Sequence, residues 1–186
     1  MRRGYGVRMK RRLRIFALAA VCAGIVVLSG CAPAEEPTPT PTAAFASDEE
    51  AFAAAEETYR AYVDALNQVD LSDPDTFEPV YAWTTGEVNA TEREQLTNAH
   101  ADGWTVDGDT EIVAVETLRY AQGKEIAIVV CIDVSKVVLI DADGTSRVSP
   151  DRADRASRVV TLLPGPTTTR WAIAGLEPSK EDLCSP

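Results

Sequence analysis

Three features of the sequence predict an α+β fold with helices first and an antiparallel sheet after them. Apolar residues recur at helical spacing between Phe52 and Val69. From Trp104 onward the period shortens to two, the alternation of half-buried strands. The two regimes are segregated along the chain, which places the helices on one face of the sheet.

Residues 1–14 carry Arg2, Arg3, Arg8, Lys10, Arg11, Arg12 and Arg14 and no acidic residue, the charged start of an export signal. An apolar run from Ile15 to Leu28 follows. As a helix it would be about 21 Å long, short of the roughly 30 Å hydrocarbon core, so a cleaved signal fits better than a permanent span. The run ends in Leu28-Ser29-Gly30-Cys31, which resembles the lipobox of bacterial lipoproteins. That pattern sets a nucleophilic thiol at the membrane face, small residues before it to admit a peptidase, and an apolar residue in first place. The resemblance implies a diacylglyceryl group on the Cys31 sulfur, cleavage just before it, and residues 1–30 as a lipoprotein signal peptide. An uncleaved anchoring helix would leave the same topology.

Removing those thirty residues takes away seven of the 18 basic residues and none of the 29 acidic ones, leaving a 156-residue chain with a formal charge of −18. That length suffices for one domain with a real core. The acidity reads as a solvated, self-repelling surface. It argues against nucleic acid and anionic headgroups as partners, because phosphate binding needs clustered Lys and Arg.

Residues 31–47 form the lipidated end and a spacer in which Pro33, Pro37, Pro39 and Pro41 lie among threonines, an extended polyproline-like tether. The domain is assigned to residues 48–186. Ser47-Asp48-Glu49-Glu50 makes a capping box, and Phe52, Ala55, Tyr59, Tyr62, Leu66 and Val69 then share one face of a first helix. Asp73-Pro74 starts a short second helix that Pro79 is expected to break before Val80, Tyr81 and Trp83. A third helix over 87–101 carries Val88, Leu96 and Ala99 and closes at Asp102-Gly103.

In the second half, Trp104 to Val106 leads to the turn Asp107-Gly108, then a strand over 110–120, a turn at Gln122-Gly123, and a return over 124–134. Ile126, Ile128, Val130, Ile132 and Val134 line one face of that return strand, which residues 136–140 are expected to extend. Strands over 155–163 and 168–176 make a last hairpin across Pro164-Gly165-Pro166. With Cys22 lost in the signal and Cys31 lipidated, Cys131 and Cys184 remain, and a lone pair on an exported chain reads as a disulfide. Closing a loop of about 54 residues would stabilise the fold by roughly 4 kcal/mol. The alternative is two buried free thiols. Cys131 points opposite to Val130 and Ile132, so the tail bearing Leu183-Cys184 is expected to cross the outer face of the sheet.

The helices, Gly103-Trp104, the long hairpin, Cys131-Ile132-Asp133-Val134-Ser135, Asp141-Ala142-Asp143-Gly144, Asp151-Arg152 and the final Cys184 stand here in one order. That order, over about residues 48–184, resembles small lipoproteins of high-GC Gram-positive (actinobacterial) type with a nuclear transport factor 2-like, cystatin-like or SnoaL-like cone. The resemblance implies helices packed in the concave face of a bent antiparallel sheet around a cavity. It implies no activity, since this superfamily hosts isomerases, dehydratases, polyketide cyclases, transport factors and assembly subunits.

No catalytic, metal or cofactor site stands out. His100 is the single histidine, and its place near the end of the third helix is explained by the helix dipole. An isomerase-like site would need a carboxylate base and acidic donors, for which Tyr59 or Tyr62 with Asp133 or Glu116 are the candidates. Tyr59 and Tyr62, however, sit in the apolar stripe, and Asp133 alternates with Ile132 and Val134 toward the side of Cys131. Asp141-Ala142-Asp143-Gly144 fails the calcium-loop rule, because Gly144 in sixth place puts Leu139 first and Pro150 twelfth, and reads as a turn. Arg147, Arg152, Arg155 and Arg158, interleaved with Asp151 and Asp154, read as a solvated charged edge.

The sequence thus leads to a lipoprotein on the outer face of the cytoplasmic membrane, held there by its lipid. It is non-enzymatic and without cofactor, and its domain takes a small apolar ligand or an envelope protein. The alternatives are a cyclase- or isomerase-type enzyme and an accessory subunit of an envelope assembly. The lining of the cavity discriminates: a perturbed titratable group beside a second donor favours the enzyme, an all-apolar interior favours binding. Replacing Cys31 by Ser is expected to abolish labelling by lipid precursor and release the chain from membranes. Retention of Cys31→Ser in the membrane fraction, with no lipid on the native chain, would contradict the lipoprotein reading.

Overall fold

The computed structural model describes residues 45–185. Leu28, Ser29, Gly30 and Cys31, the signal segment and most of the tether lie outside the described residues. Thr40–Pro186 is a compact unit of its own. Its elements are α1 (Asp48–Leu66), a 3-10 turn (Pro74–Thr76), α2 (Glu78–Tyr81), α3 (Gly86–Ala101), β1 (Thr105–Asp107), β2 (Glu111–Ala121), β3 (Glu125–Asp133), β4 (Val138–Ile140), β5 (Arg155–Pro164) and β6 (Trp171–Pro178). Helices precede strands, and a four-stranded antiparallel sheet runs in the order β2-β3-β5-β6. The α+β reading of the sequence holds.

α1 starts where the capping signal puts it. The Ser47 hydroxyl accepts the Glu50 N–H at 3.2 Å, and the Glu50 carboxylate accepts the Ala46 N–H at 2.7 Å. Its buried face is Ala51, Ala55, Thr58, Tyr59, Tyr62, Val63 and Ala65. The small side chains at 51 and 55 let the helix approach β6, where Trp171 donates its indole N–H to the Ala51 carbonyl at 3.2 Å. Thr58 meets Thr169 oxygen to oxygen at 2.6 Å, so the polar atoms in this contact are satisfied.

Two expectations are corrected here. Pro79 does not break the second helix; it lies in the first turn of α2, where a residue without an N–H loses no bond. Residues 136–140 do not extend β3; Val138–Ile140 form β4, which pairs with β1 in a separate two-stranded sheet. The Asp133 carboxylate accepts both the Ser135 N–H and hydroxyl, and Val137 N–H bonds the Val134 carbonyl, so the chain turns away after Asp133. Gly108, with φ +80°, lets the two segments meet: a Cβ there would lie 2.0 Å from the Lys136 carbonyl oxygen.

β3 is the centre of the core. Ile126 to Cys131 are no more than 3% exposed. Ile126, Ile128 and Val130 face the helices together with Val160 and Leu162 of β5. On the outer face Cys131 is bonded to Cys184, with Cα atoms 5.2 Å apart, as the sequence suggested. The tail is tied down beside it, since the Ser157 hydroxyl donates to the Glu181 carbonyl at 2.8 Å and accepts the Leu183 N–H at 3.3 Å. At the β6 edge, the Thr85 N–H reaches the Ile173 carbonyl and the Ile173 N–H the Trp83 carbonyl, so that edge is covered.

Truncating Ile128 to Ala is expected to cost about 2–5 kcal/mol, against about 0.5 kcal/mol or less for Val113, which is 47% exposed. Denaturant unfolding of both variants, beside a thiol titration that finds no free Cys131 or Cys184, checks the burial and the bridge. Equal costs, or two titratable thiols, would contradict them.

Candidate functional site

A cleft of about 630 Å³ opens between α1, α3 and the far ends of β5 and β6. Both long helices pack on β6 and α2, but α1 also lies on β2 and β3, so the helices part over the sheet end. α3 fully buries only Ala99, so most of its inner face is left to line the opening.

Both tyrosines of the α1 stripe reach this cleft, at 3% and 4% exposure. The Tyr62 hydroxyl donates to the Glu92 carboxylate of α3 in a short hydrogen bond. Burial pushes Glu92 above the usual carboxylate range, an effect that the Tyr62 bond partly offsets. Burial, and then the Glu92 charge, push Tyr62 strongly upward. Tyr59 rises to about 12 through burial, moderated by the positive charge of Arg158. Tyr59 has no hydrogen-bond partner among the described residues, yet it is not an enclosed orphan, so its hydroxyl is open to the cleft. Val63, Leu66, Val88, Ile132 and Leu176 supply apolar wall, and Glu87 and Glu177 stand exposed at the rim.

The carboxylates expected beside these tyrosines are elsewhere. Asp133 is held to about 2 by the Ser135 hydroxyl and N–H and by Arg155, which bonds it at 3.0 Å, and it does not line the cleft. Glu116 is exposed on β2, beside the first turns of α1. The Tyr–Asp constellation is therefore not assembled, because Asp133 faces away from α1 and anchors a turn. The carboxylate that takes its place is Glu92. A signal for it was present: Val88, Leu96 and Ala99 form the stripe of α3, and Glu92 occupies the stripe position between Val88 and Leu96.

The reading of the arginines as one charged edge is also corrected. Arg155 pairs with Asp133, Arg152 donates to the Val134 and Val137 carbonyls, and Arg147 lies over the Trp104 ring at 4.8 Å. Arg158 shares the inner face of β5 with Val160 and Leu162, and so it is half-buried in the cleft. His100 holds helix to loop, its Nδ1 lying 2.7 Å from the Leu71 carbonyl and its ring edge-on to Phe77. Asp141 accepts the Asp143 and Thr145 N–H groups, making a turn. Among the described residues no group of three His, Cys, Asp or Glu is placed to share a metal ion, and no helix is long and apolar enough to cross a membrane. A second cavity of about 430 Å³, walled by Leu66, Val69, Leu96, Trp104 and Leu139, lies toward the small sheet.

No protein-family profile matches the sequence, and no curated protein matches it. Solved structures resemble it in fold. The intermembrane space region of the chloroplast protein ARC6 aligns over 67% of this chain and 95% of its own, at 13% identity and a TM-score of 0.44. A nuclear transport factor 2-like protein of unknown function from Exiguobacterium sp. 255-15 aligns over 67% and 99%, at 9% identity and 0.35. A candidate polyketide cyclase from Xanthomonas campestris pv. campestris aligns over 67% and 92%, at 12% identity and 0.35. None of them carries an activity across to this chain.

The cleft tyrosines give a pH test. The fold favours the neutral phenol of Tyr59, so its contribution to stability is whole below its ordinary value of 10.0 and is lost as pH rises through about 12. In an ultraviolet titration of the phenols, Glu92→Gln should lower the Tyr62 ionisation and leave Tyr59 nearly unmoved. Tyr59 and Tyr62 both ionising at the ordinary value in the native protein would contradict the site as described.

Proposed function

We propose that this chain is a lipoprotein held by Cys31 on the outer face of the cytoplasmic membrane, whose nuclear transport factor 2-like domain binds a small, largely apolar ligand in the cleft. One observation carries the binding reading. An opening of about 630 Å³ lies between two helices and a sheet end, with an apolar strip of Val63, Leu66, Val88, Ile132 and Leu176 beside polar groups that include Tyr59, Tyr62, Glu92, Gln95 and Arg158. The export signal, the Leu28-Ser29-Gly30-Cys31 sequence and the proline-rich tether support the address, as does the bridge between Cys131 and Cys184.

A neutral polarity-sensitive dye such as Nile red should bind at one site with blue-shifted emission. Val88→Trp, which fills the cleft from α3, should weaken it by about tenfold or more, roughly what the loss of one apolar pocket costs. Binding that ignores Val88→Trp, or no binding, would contradict this reading. An envelope protein as occupant would then be the remaining one of the two partners read from the sequence.

A second reading, a proton-transfer enzyme of the isomerase or cyclase kind, is favoured by the half-buried Glu92 with its raised affinity for protons and its Tyr62 donor. A perturbed titratable group beside a second donor is what such a site needs, and here Glu92 rather than an aspartate supplies it. The probe is 5-nitrobenzisoxazole, from which a desolvated carboxylate removes the C3 proton as the N–O bond opens to a cyanophenolate. Turnover faster than free acetate, lost in Glu92→Gln, would support the enzyme; equal rates in the two proteins would remove it.

A further inference from the structure

Arg158 is a cation of the cleft with no ion pair or hydrogen bond among the described residues. Every other described arginine has a partner: Arg60 with Glu56, Arg93 with Glu78, Arg119 with Glu125, Arg155 with Asp133, Arg170 with Glu50, Arg152 with two carbonyls, and Arg147 with the Trp104 ring. Arg158 has no ion pair, hydrogen bond or ring contact among the described residues, although it is half-buried. A guanidinium partly removed from water costs free energy unless an acceptor replaces the lost hydration. The acids of the cleft do not serve. Glu92 is engaged with Tyr62, and Glu87 and Glu177 stand in solvent at the rim without forming an ion pair.

The second free group is a donor as well, the Tyr59 hydroxyl, which opens on the same cleft. A guanidinium, which only donates, and a phenol hydroxyl, which can donate, face the same opening and can both serve one acceptor from outside. Val63, Leu66, Val88, Ile132 and Leu176 give the cleft an apolar strip, interrupted by Thr91, Gln95 and Thr110, against which a hydrocarbon body attached to that acceptor fits. Glu87, Glu92 and Glu177 set the limit on charge, since a dianion would gain one cation and face three carboxylates.

We propose that the cleft selects an amphiphile with a single carboxylate head, which Arg158 and Tyr59 hold while the hydrocarbon body lies on the apolar wall between α1 and α3. This rests on the ligand-binding reading and names the class of ligand that reading leaves open. Arg158 is the specificity-determining residue, its planar fork matching the two carboxylate oxygens.

The experiment compares decanoate with decanol at neutral pH, two probes with the same ten-carbon chain. The protein is residues 31–186 carrying Cys31→Ser, which contains the whole compact unit. Displacement of Nile red reads both affinities. Decanoate should bind about tenfold or more tighter than decanol, the size of a charge-assisted hydrogen bond. Arg158→Gln should bring the two affinities together, with an unchanged denaturant-unfolding midpoint reporting an intact fold. Arg158→Lys should keep part of the preference, because charge survives and the fork does not. Equal binding of the two probes by the native protein, or a decanoate preference that survives Arg158→Gln, overturns the carboxylate proposal while the cleft stands. Failure of both probes and of the dye overturns the cleft itself and the proposal with it.

Discussion

From Ile126 to Cys131 each side chain of β3 is buried, and the rest of the domain is arranged to make that so. An antiparallel strand ordinarily turns one face to water, but this one has neighbours on both edges and cover on both faces. Its inner face lies against α1, which is why that helix is long, capped at Ser47 and lined with alanines where it must come close. Its outer face is the reason for the tail: Cys184 reaches back to Cys131, and Ser157, the register partner of Cys131, holds the backbone of residues 181 and 183. The bridge therefore closes the core as well as a loop.

The same register positions the site. Val130 pairs with Arg158 and Ile128 with Val160, so fixing the inner face of β3 fixes that of β5. Toward Leu162 this face is roofed by α1, whereas at Arg158 the roof has opened into the cleft. A cation thus occupies a position that the strand pattern assigns to the core. On the opposite wall Glu92 does the same within the stripe of α3. Two charges set into two apolar stripes meet one opening, and the surrounding core keeps them from withdrawing.

Much of the architecture was legible in the chain. Ser47 and Glu50 announced the first helix, Gly103 the end of the third, and Gln122-Gly123 the turn of the long hairpin, since each is a local backbone event written by local residues. What failed depended on distant partners. Nothing in residues 136–140 says that they pair with β1 rather than lengthen β3, because that choice is made by the turn at Asp133 and by the approach of Gly108 to Lys136. The site was half legible. Tyr59 and Tyr62 were seen but assigned to packing, and both packing and cleft lining are true of them. Glu92 has no reading of its own in the sequence and Arg158 reads there as part of a solvated charged edge, because the apolar members of each stripe carry the local signal, whereas the polar exceptions within it mark the cleft.

The central claim is that β3, covered on both faces, is the rigid member against which the cleft is built, and that α3 is its lightly held wall. Native-state amide hydrogen exchange tests this most directly. The amides of Ile126 to Val130 should exchange only through global unfolding, and those in the middle of α3 through smaller openings of lower free energy. Exchange from β3 as fast as from α3, or faster, would contradict it.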